Sequence, residues 1–334
     1  MKKVVVTNPC FPETLTLLRS AAEVLVNPWP EPWPYDEVVQ RCGDAHAVMA
    51  FMTDRIDRAM LARCPELRVI GAALKGYDNI DVQAATEAGV LVTIVPDLLS
   101  APTAELAIGL MLGLGRQLHS ADALVRERGF QGWRPTLYGR GIAGETVGLV
   151  GFGNVGRAIA QRLSTFECRI LAFDRSARPE TGAMPQVEMT SLETLLAQSG
   201  YVVLALPLLA DTQHLFDAAM LARMRPGALL VNPARGSLVD EAAVADALDA
   251  SSLAGYAADV FECEDWARAD RPREIEPRFR AVGARTFLTP HLGSAVENVR
   301  REIELTAARS ILEALAGDVP EFAINASVRR GMSR

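Results

Sequence analysis

Lysine is nearly missing from this chain: of 34 basic residues only Lys2, Lys3 and Lys75 are lysines. Basic residues are in turn outnumbered by 41 acidic ones, giving a net charge of −7. That balance excludes nucleic acid or an anionic membrane as the main partner, because both require a broad positive field. Any anionic ligand must be held by a local positive pocket. The five cysteines (Cys10, Cys42, Cys64, Cys168, Cys263) are odd in number and form no CxxC, so neither a disulfide framework nor a zinc cluster is encoded and no metal is expected. The longest apolar run, Leu106 to Gly115, is about half of what a membrane span requires. Met1-Lys2-Lys3 and the short run that follows, broken by Thr7-Asn8-Pro9, are too brief for a secretion signal, and a cytoplasmic location is expected. No repeat or low-complexity tract stands out.

What is present is an ordinary globular composition, 49% hydrophobic and 22% charged, in 334 residues that suggest two domains at roughly 150 residues each. The first hundred residues alternate short strands (Lys3–Thr7, Ala47–Phe51, Arg68–Ala72, Val90–Ile94) with helical or loop stretches. Four prolines between Asn27 and Pro34 forbid a helix and predict a stiff extended connector with Trp29 and Trp33 folded against it. Thr103 is a candidate N-cap for one long helix from Ala104 to about Arg128, followed by an irregular aromatic stretch, Phe130 to Gly139. From Glu145 onward strand and helix repeat, with near-continuous apolar strands at Val147–Val150, Arg169–Phe173, Tyr201–Leu206, Ala228–Val231, Tyr256–Val260 and Thr286–Leu288. Such strands fit a parallel sheet covered on both faces. A final amphipathic helix runs from about Ala295 to Ala316.

The sharpest local pattern is Gly151-Phe152-Gly153-Asn154-Val155-Gly156. It follows a strand, opens a helix, and precedes a second strand ending in Asp174, 23 positions after Gly151. That spacing is close to the roughly twenty expected of a dinucleotide site. Gly151 permits the tight turn, Gly153 a close approach of backbone to pyrophosphate, and Gly156 close packing of helix on strand; the helix N-terminus offers free N–H groups and partial positive charge to the phosphates. Asp174 is placed to accept from both ribose hydroxyls and repels a 2′-phosphate, which favours NAD. Arg175 follows it directly and opens a route to NADP.

Ligands of open parallel sheets collect beyond the C-terminal strand ends. The segments there carry Pro207, Arg235, Asp259 through Glu264, and Thr289-Pro290-His291. A histidine paired with a glutamate makes an acid–base catalyst, and arginine offers a bidentate fork to an oxyanion. Spacing leaves Glu262 and Glu264 as alternatives for the carboxylate, and His46, His119 and His214 read as structural or solvated. Lys75, in a chain that otherwise uses arginine, lies between Ala73-Leu74 and the turn Gly76-Tyr77-Asp78-Asn79, where a compact ammonium does what a planar guanidinium would not.

The glycine pattern with Asp174, Asn232 to Gly236, Asp259 to Glu264 and Thr289 to Gly293 resemble the D-2-hydroxyacid dehydrogenase family over nearly the whole chain. Within it the closer resemblance is to the phosphonate (phosphite) dehydrogenases, carried by Ala50-Phe51-Met52, Ala73 to Asn79, Val95 to Leu99, Phe130 to Trp133, Tyr138-Gly139 and Asp259 to Pro272. Generic members usually have Glu-Pro where this chain has Glu264-Asp265. The resemblance implies two Rossmann-like domains, α/β in class: a doubly wound NAD-binding domain (101–290) inserted in a flavodoxin-like substrate domain (1–100 and 291–334). It implies Arg235, Glu264 and His291 as the catalytic trio, choosing Glu264 over Glu262. Lys75 and Gly76 would anchor the substrate, with Arg300 as an added cation, although Arg301 competes for that place. Met52, Trp133 and Tyr138 would line or close the pocket, the last two from the partner of a homodimer built on the long helix after Pro102. Thr103, Asn154, Val155, Pro207, Asp259 and Ser294 would join Gly151, Gly153, Gly156, Asp174 and Arg175 around the cofactor. The implied reaction is phosphite plus NAD and water giving phosphate and NADH, in a cleft dried by domain closure. The alternatives are a 2-hydroxyacid or glyoxylate-type oxidoreductase and, more remotely, a nucleotide-sensing binding protein.

Overall fold

The computed structural model describes residues 1–176, 184, 186–268, 270–281 and 283–328. The chain forms two compact units, Met1–Leu98 with Trp266–Ala269 and Val296–Arg334, and Leu99–Asp265 with Asp270–Ala295. The sequence reading sets the two crossings at 100/101 and 290/291; the segment 291–295, with His291, lies in the second unit.

The first unit is built on β1 (Lys2–Val6), β2 (Ala22–Val26), β3 (Ala47–Ala50), β4 (Val69–Ala72) and β5 (Leu91–Thr93). They run parallel in the order β2-β1-β3-β4-β5, a flavodoxin-like order whose switch point lies between β1 and β3. β3 and β4 are buried along their whole length, which is why they read as continuous apolar runs. The edge strand β2, Ala-Glu-Val-Leu-Val, is only partly buried and directly follows a short helix, and the sequence reading does not contain it. The helix Glu297–Ala316 lies on this sheet and buries Ile303, Ala307, Ile311 and Ala314, one stripe at helical spacing.

The second unit holds β6 (Thr146–Val150), β7 (Arg169–Phe173), β8 (Val187–Met189), β9 (Tyr201–Leu204), β10 (Ala228–Asn232), β11 (Leu253–Ala258) and β12 (Thr286–Leu288). All pairs are parallel, in the order β12-β11-β10-β9-β6-β7-β8, which is the doubly wound order extended by one strand. Val150 at the end of β6 pairs with Phe173 of β7 and Leu204 of β9. Edge strand β8 is three residues long and is likewise absent from the sequence reading. Helix starts in both units use side-chain caps: Asp57, Asp81, Ser191, Asp217 and Asp240 each accept from a backbone N–H three residues on.

Three local expectations need correction. The long helix is two helices, Ser100–Gly115 and Leu118–Arg128, broken at Gln117 in the left-handed region (φ 52°). Pro102 sits inside the first turn, where its missing N–H has no intrahelical partner to lose, so Thr103 is not the N-cap. In the proline-rich connector only Trp33 packs on the core, with the Arg41 guanidinium 4.2 Å from its ring centroid; Trp29 is 66% exposed.

Candidate active site

The glycine loop leaves β6 between the loops that follow β7 and β9. Gly151 has φ +100°, and a Cβ there would lie 2.4 Å from the Ala205 carbonyl oxygen, so only glycine makes this turn. A Cβ on Gly156 would lie 2.3 Å from the Gly151 oxygen. At Gly153 a Cβ would meet nothing within 4 Å: its surface faces the open space a pyrophosphate needs. The helix Asn154–Leu163 begins there without a side-chain cap, its N-terminus following directly on the glycine turn. Asp174 Oδ2 accepts from Phe152 N (2.8 Å), and Oδ1 from Ser176 N (2.8 Å) and Oγ (2.7 Å). Burial pushes its carboxyl up, but these bonds outweigh burial and hold it below the usual carboxylate range. It is an ionised acceptor at the end of the second strand. Arg175 is engaged elsewhere, by Asp211. Pro207 O accepts from Thr212 Oγ1 (2.9 Å), which shapes the loop after β9. The residues present therefore fit a dinucleotide.

The charged groups lie at the same sheet edge. Arg235 follows β10 in extended backbone (φ −144°), and its carbonyl accepts from Asn232 Nδ2 (2.8 Å). Glu264 closes the 3-10 turn Glu262–Glu264, with Oε1 accepting from Phe261 N (2.9 Å) and Oε2 lying 2.8 Å from His291 Nδ1. A carboxylate oxygen accepts, so Nδ1 donates across this contact and Nε2 is the ring nitrogen left for other partners. His291 has φ +57°, strained for a residue with a Cβ. The strain is held by Asp259, fully buried, whose backbone O accepts from His291 N (2.8 Å). Its carboxylate accepts from Thr289 Oγ1 (2.6 Å), Leu292 N (2.7 Å) and Gly293 N (2.8 Å). Burial pushes the Asp259 carboxyl upward, and these donors oppose it. Thr103 Oγ1 donates to Gly293 O (3.3 Å), and Ser294 is buried beside it in sequence. Thr103 and Asp259, both assigned to the cofactor on resemblance, thus build the loop that carries His291.

The two glutamates that spacing could not separate take different partners. Glu262 Oε2 lies 2.8 Å from His214 Nε2, a histidine that reads in the sequence as structural or solvated. Glu262 N donates to Glu241 Oε1 (2.8 Å), and Glu241 Oε2 accepts from Glu276 N (3.0 Å). Asp265 accepts from Ser237 N (2.7 Å), tying the Glu264 turn to the Arg235 loop. Nothing in the sequence reveals these ties, because the partners are 21 to 48 positions apart. Burial pushes the Glu241 carboxyl up to about 7, against the hydrogen bonds from Glu262 and Glu276. A carboxyl raised by folding stabilises below its unfolded pKa, and that contribution is lost as pH rises through the folded value. E241Q should remove a component on the order of 2–3 kcal/mol from the stability difference between pH 4.5 and pH 8. Melting both proteins at the two pH values checks this; equal pH dependence would refute it.

The first unit carries its own charged edge. Lys75 Nζ lies 2.7 Å from Asp97 Oδ1. Lys75 and Gly76 sit in the irregular segment after β4, whose Ala73 N donates to Ala50 O (2.8 Å). Met52 packs partly on the core just after β3, where buried Asp54 accepts from Phe51 N (2.7 Å) and Asn79 Nδ2 donates to Phe51 O (3.0 Å). Arg300 and Arg301 point differently. Arg301 pairs with Glu13 and Glu297 near the surface, above the Phe11 ring. Arg300 is half-buried, with Nη1 3.4 Å from Ala73 O and Nη2 4.0 Å from Glu304 Oε1. Arg300 therefore belongs to the Lys75 edge. Trp133 and Tyr138 are 77% and 76% exposed on an irregular segment.

A doubly wound sheet with a glycine crevice, an acidic residue after the second strand and a Glu–His pair on the same edge defines a nicotinamide-dinucleotide-dependent oxidoreductase. The model of the D-isomer specific 2-hydroxyacid dehydrogenase NAD-binding domain matches residues 108–293, and the chain belongs to that family. It is 35% identical over 334 residues to a glyoxylate reductase of Thermococcus gammatolerans, covering 98% of this chain and 97% of that protein. It is 34% identical to a D-3-phosphoglycerate dehydrogenase of Mycobacterium bovis, covering 96% of this chain and 58% of that protein. Among solved structures, the TT0316 protein of Thermus thermophilus superposes with TM-score 0.86 at 32% identity, covering 96% of this chain and 99% of that one. A glyoxylate reductase of Paecilomyes thermophila gives 0.82 at 27% identity, covering 97% and 98%. Among the described residues no helix is long and apolar enough to cross a membrane.

Proposed function

We propose that the chain oxidises phosphite to phosphate with NAD. The observation that carries this reading is the half-buried Arg300 against the Ala73 carbonyl, two residues before Lys75: a second cation at an edge that already holds an ammonium. A small dianion with three phosphoryl oxygens suits two such cations; a planar monocarboxylate needs fewer. The resemblance of Asp259 to Pro272 and of Val95 to Leu99 to phosphonate dehydrogenases supports it.

A bound nicotinamide would supply the acceptor for the hydride that leaves phosphorus. Lys75, Arg300 and the backbone N–H groups of Lys75 to Tyr77 grip phosphoryl oxygens and stabilise the charge gathering there, and Arg235, on the edge of the second sheet, carries a fork for an oxyanion. His291 Nε2 takes a proton from the attacking water, and Glu264 stabilises the imidazolium through Nδ1. Gly153, Asn154 and Val155 hold the pyrophosphate, and Asp174 the ribose. The exposed aromatic segment, with Phe130 82% exposed beside Trp133 and Tyr138, supports a homodimer in which this arm is covered by a second copy.

The relatives back a second reading better than this one, since several are glyoxylate reductases: the same trio would reduce a small 2-oxo acid, arginine holding the carboxylate and histidine protonating the carbonyl. Mixing the purified protein with phosphite and NAD separates the two. Rising absorbance of reduced nicotinamide with stoichiometric phosphate is expected. No reduction with phosphite, alongside NADH oxidation by glyoxylate, would replace the first reading with the second.

A further inference from the structure

Asp174 and Arg175 are neighbours in sequence with opposite engagements. Asp174 is turned onto its own loop, accepting from Phe152 and Ser176. Arg175 Nη1 reaches out to Asp211 Oδ2, 36 positions away. Asp211 lies on the segment after β9, Arg175 on the segment after β7, and β6 lies between those strands. The ion pair therefore straddles the loop Gly151–Gly153 at the side where Asp174 marks the ribose end. Both side chains are more than half exposed, at 58% and 59%.

We propose that Asp211 is a specificity-determining residue for the cofactor: it holds the Arg175 guanidinium away from the 2′ position and so sets the preference for NAD over NADP. A 2′-phosphate brings nearly two negative charges that have to be met by a cation. To meet them Arg175 must leave Asp211, and the loss of that ion pair is subtracted from the affinity for NADP. NAD presents only a hydroxyl there, satisfied by Asp174, and is indifferent to where Arg175 points. Because an exposed ion pair is weak, the discrimination is modest, and NADP is disfavoured without being shut out. An arginine directly after the ribose carboxylate is thereby reconciled with a preference for NAD.

The proposal rests on the dinucleotide site alone and is independent of the substrate. Its test is calorimetric titration of NAD and NADP into the full chain and its variants, with no turnover required. D211N should tighten NADP about five-fold, the size of a lost exposed ion pair, and leave NAD within two-fold. D211E, which keeps the tether, should behave as the unaltered protein. In the R175A background D211N should change NADP affinity by less than two-fold, since the freed guanidinium is what gains the phosphate. Unchanged NADP affinity in D211N overturns the proposal. So does an equal gain with and without Arg175, which would mean plain charge repulsion, and so does loss of NAD binding, which would make Asp211 a loop-building residue. An unaltered chain that bound neither dinucleotide would overturn the cofactor assignment itself, a failure distinct from that of the Asp211 tether.

Discussion

H291N lowers kcat of the nicotinamide-coupled reaction by roughly 10²–10⁴-fold, the contribution of a positioned acid–base group, and leaves the dissociation constant for NAD within two-fold. The geometry separates the two effects. His291 Nδ1 is 2.8 Å from Glu264 Oε2, while the glycine crevice and Asp174 are built by different loops. Asn keeps the backbone bond to Asp259 O and tolerates the left-handed conformation better than most residues, so the 289–293 loop survives the exchange. E264Q gives a smaller loss of kcat and moves the pH profile, because an amide opposite Nδ1 no longer stabilises the imidazolium. Steady-state rates across pH, with cofactor affinity measured separately, check both variants. H291N retaining most of its turnover would assign the proton transfer to another group.

D259A has the next largest effect, on stability and rate together. Removing the carboxylate leaves Thr289 Oγ1, Leu292 N and Gly293 N without their acceptor, the last of them in a buried place. Each orphaned donor costs about 1–3 kcal/mol, reduced where water can enter the space left behind. A total of about 2–4 kcal/mol corresponds to a fall in Tm of roughly 5–15 °C in a unit of this size. Because the same bonds hold His291 at φ +57°, kcat should fall more than ten-fold even well below the melting transition. D259N keeps one acceptor oxygen and should fall between D259A and the unaltered protein. Thermal melts and rates for the pair are the measurement; an unshifted Tm in D259A would show that the loop holds itself.

Periodicity and punctuation made most of the fold legible, because most of the strands are continuous apolar runs buried in the interior of a parallel sheet. The two strands without a signal, β2 and β8, are edges, where partial burial removes the apolar pattern. The helix break at Gln117 is invisible for a related reason: apolar residues continue through Leu114 and Leu118, and only the backbone conformation changes. The glycine turn was legible because its pattern is local, concentrated in six residues of one turn and one carboxylate after the next strand.

The charged network was not local, and the sequence could name candidates without pairing them. Glu262 and Glu264 stand two positions apart, and it took tertiary structure to give one His214 and the other His291. Arg300 and Arg301 are adjacent on one helix, yet the angular step between consecutive helical positions turns one beneath the Ala73 carbonyl and the other toward Glu13. Asp259 read as a strand-end carboxylate, and only the folded loop shows it ordering the histidine. By itself the sequence determined the α/β class, the glycine crevice and the set of chemically capable residues, since these depend on backbone sterics and burial over a few neighbouring positions. The pairing of each acid with its partner was decided by tertiary structure alone, because hydrogen bonds reach about 3 Å while their partners lie tens of residues apart along the chain.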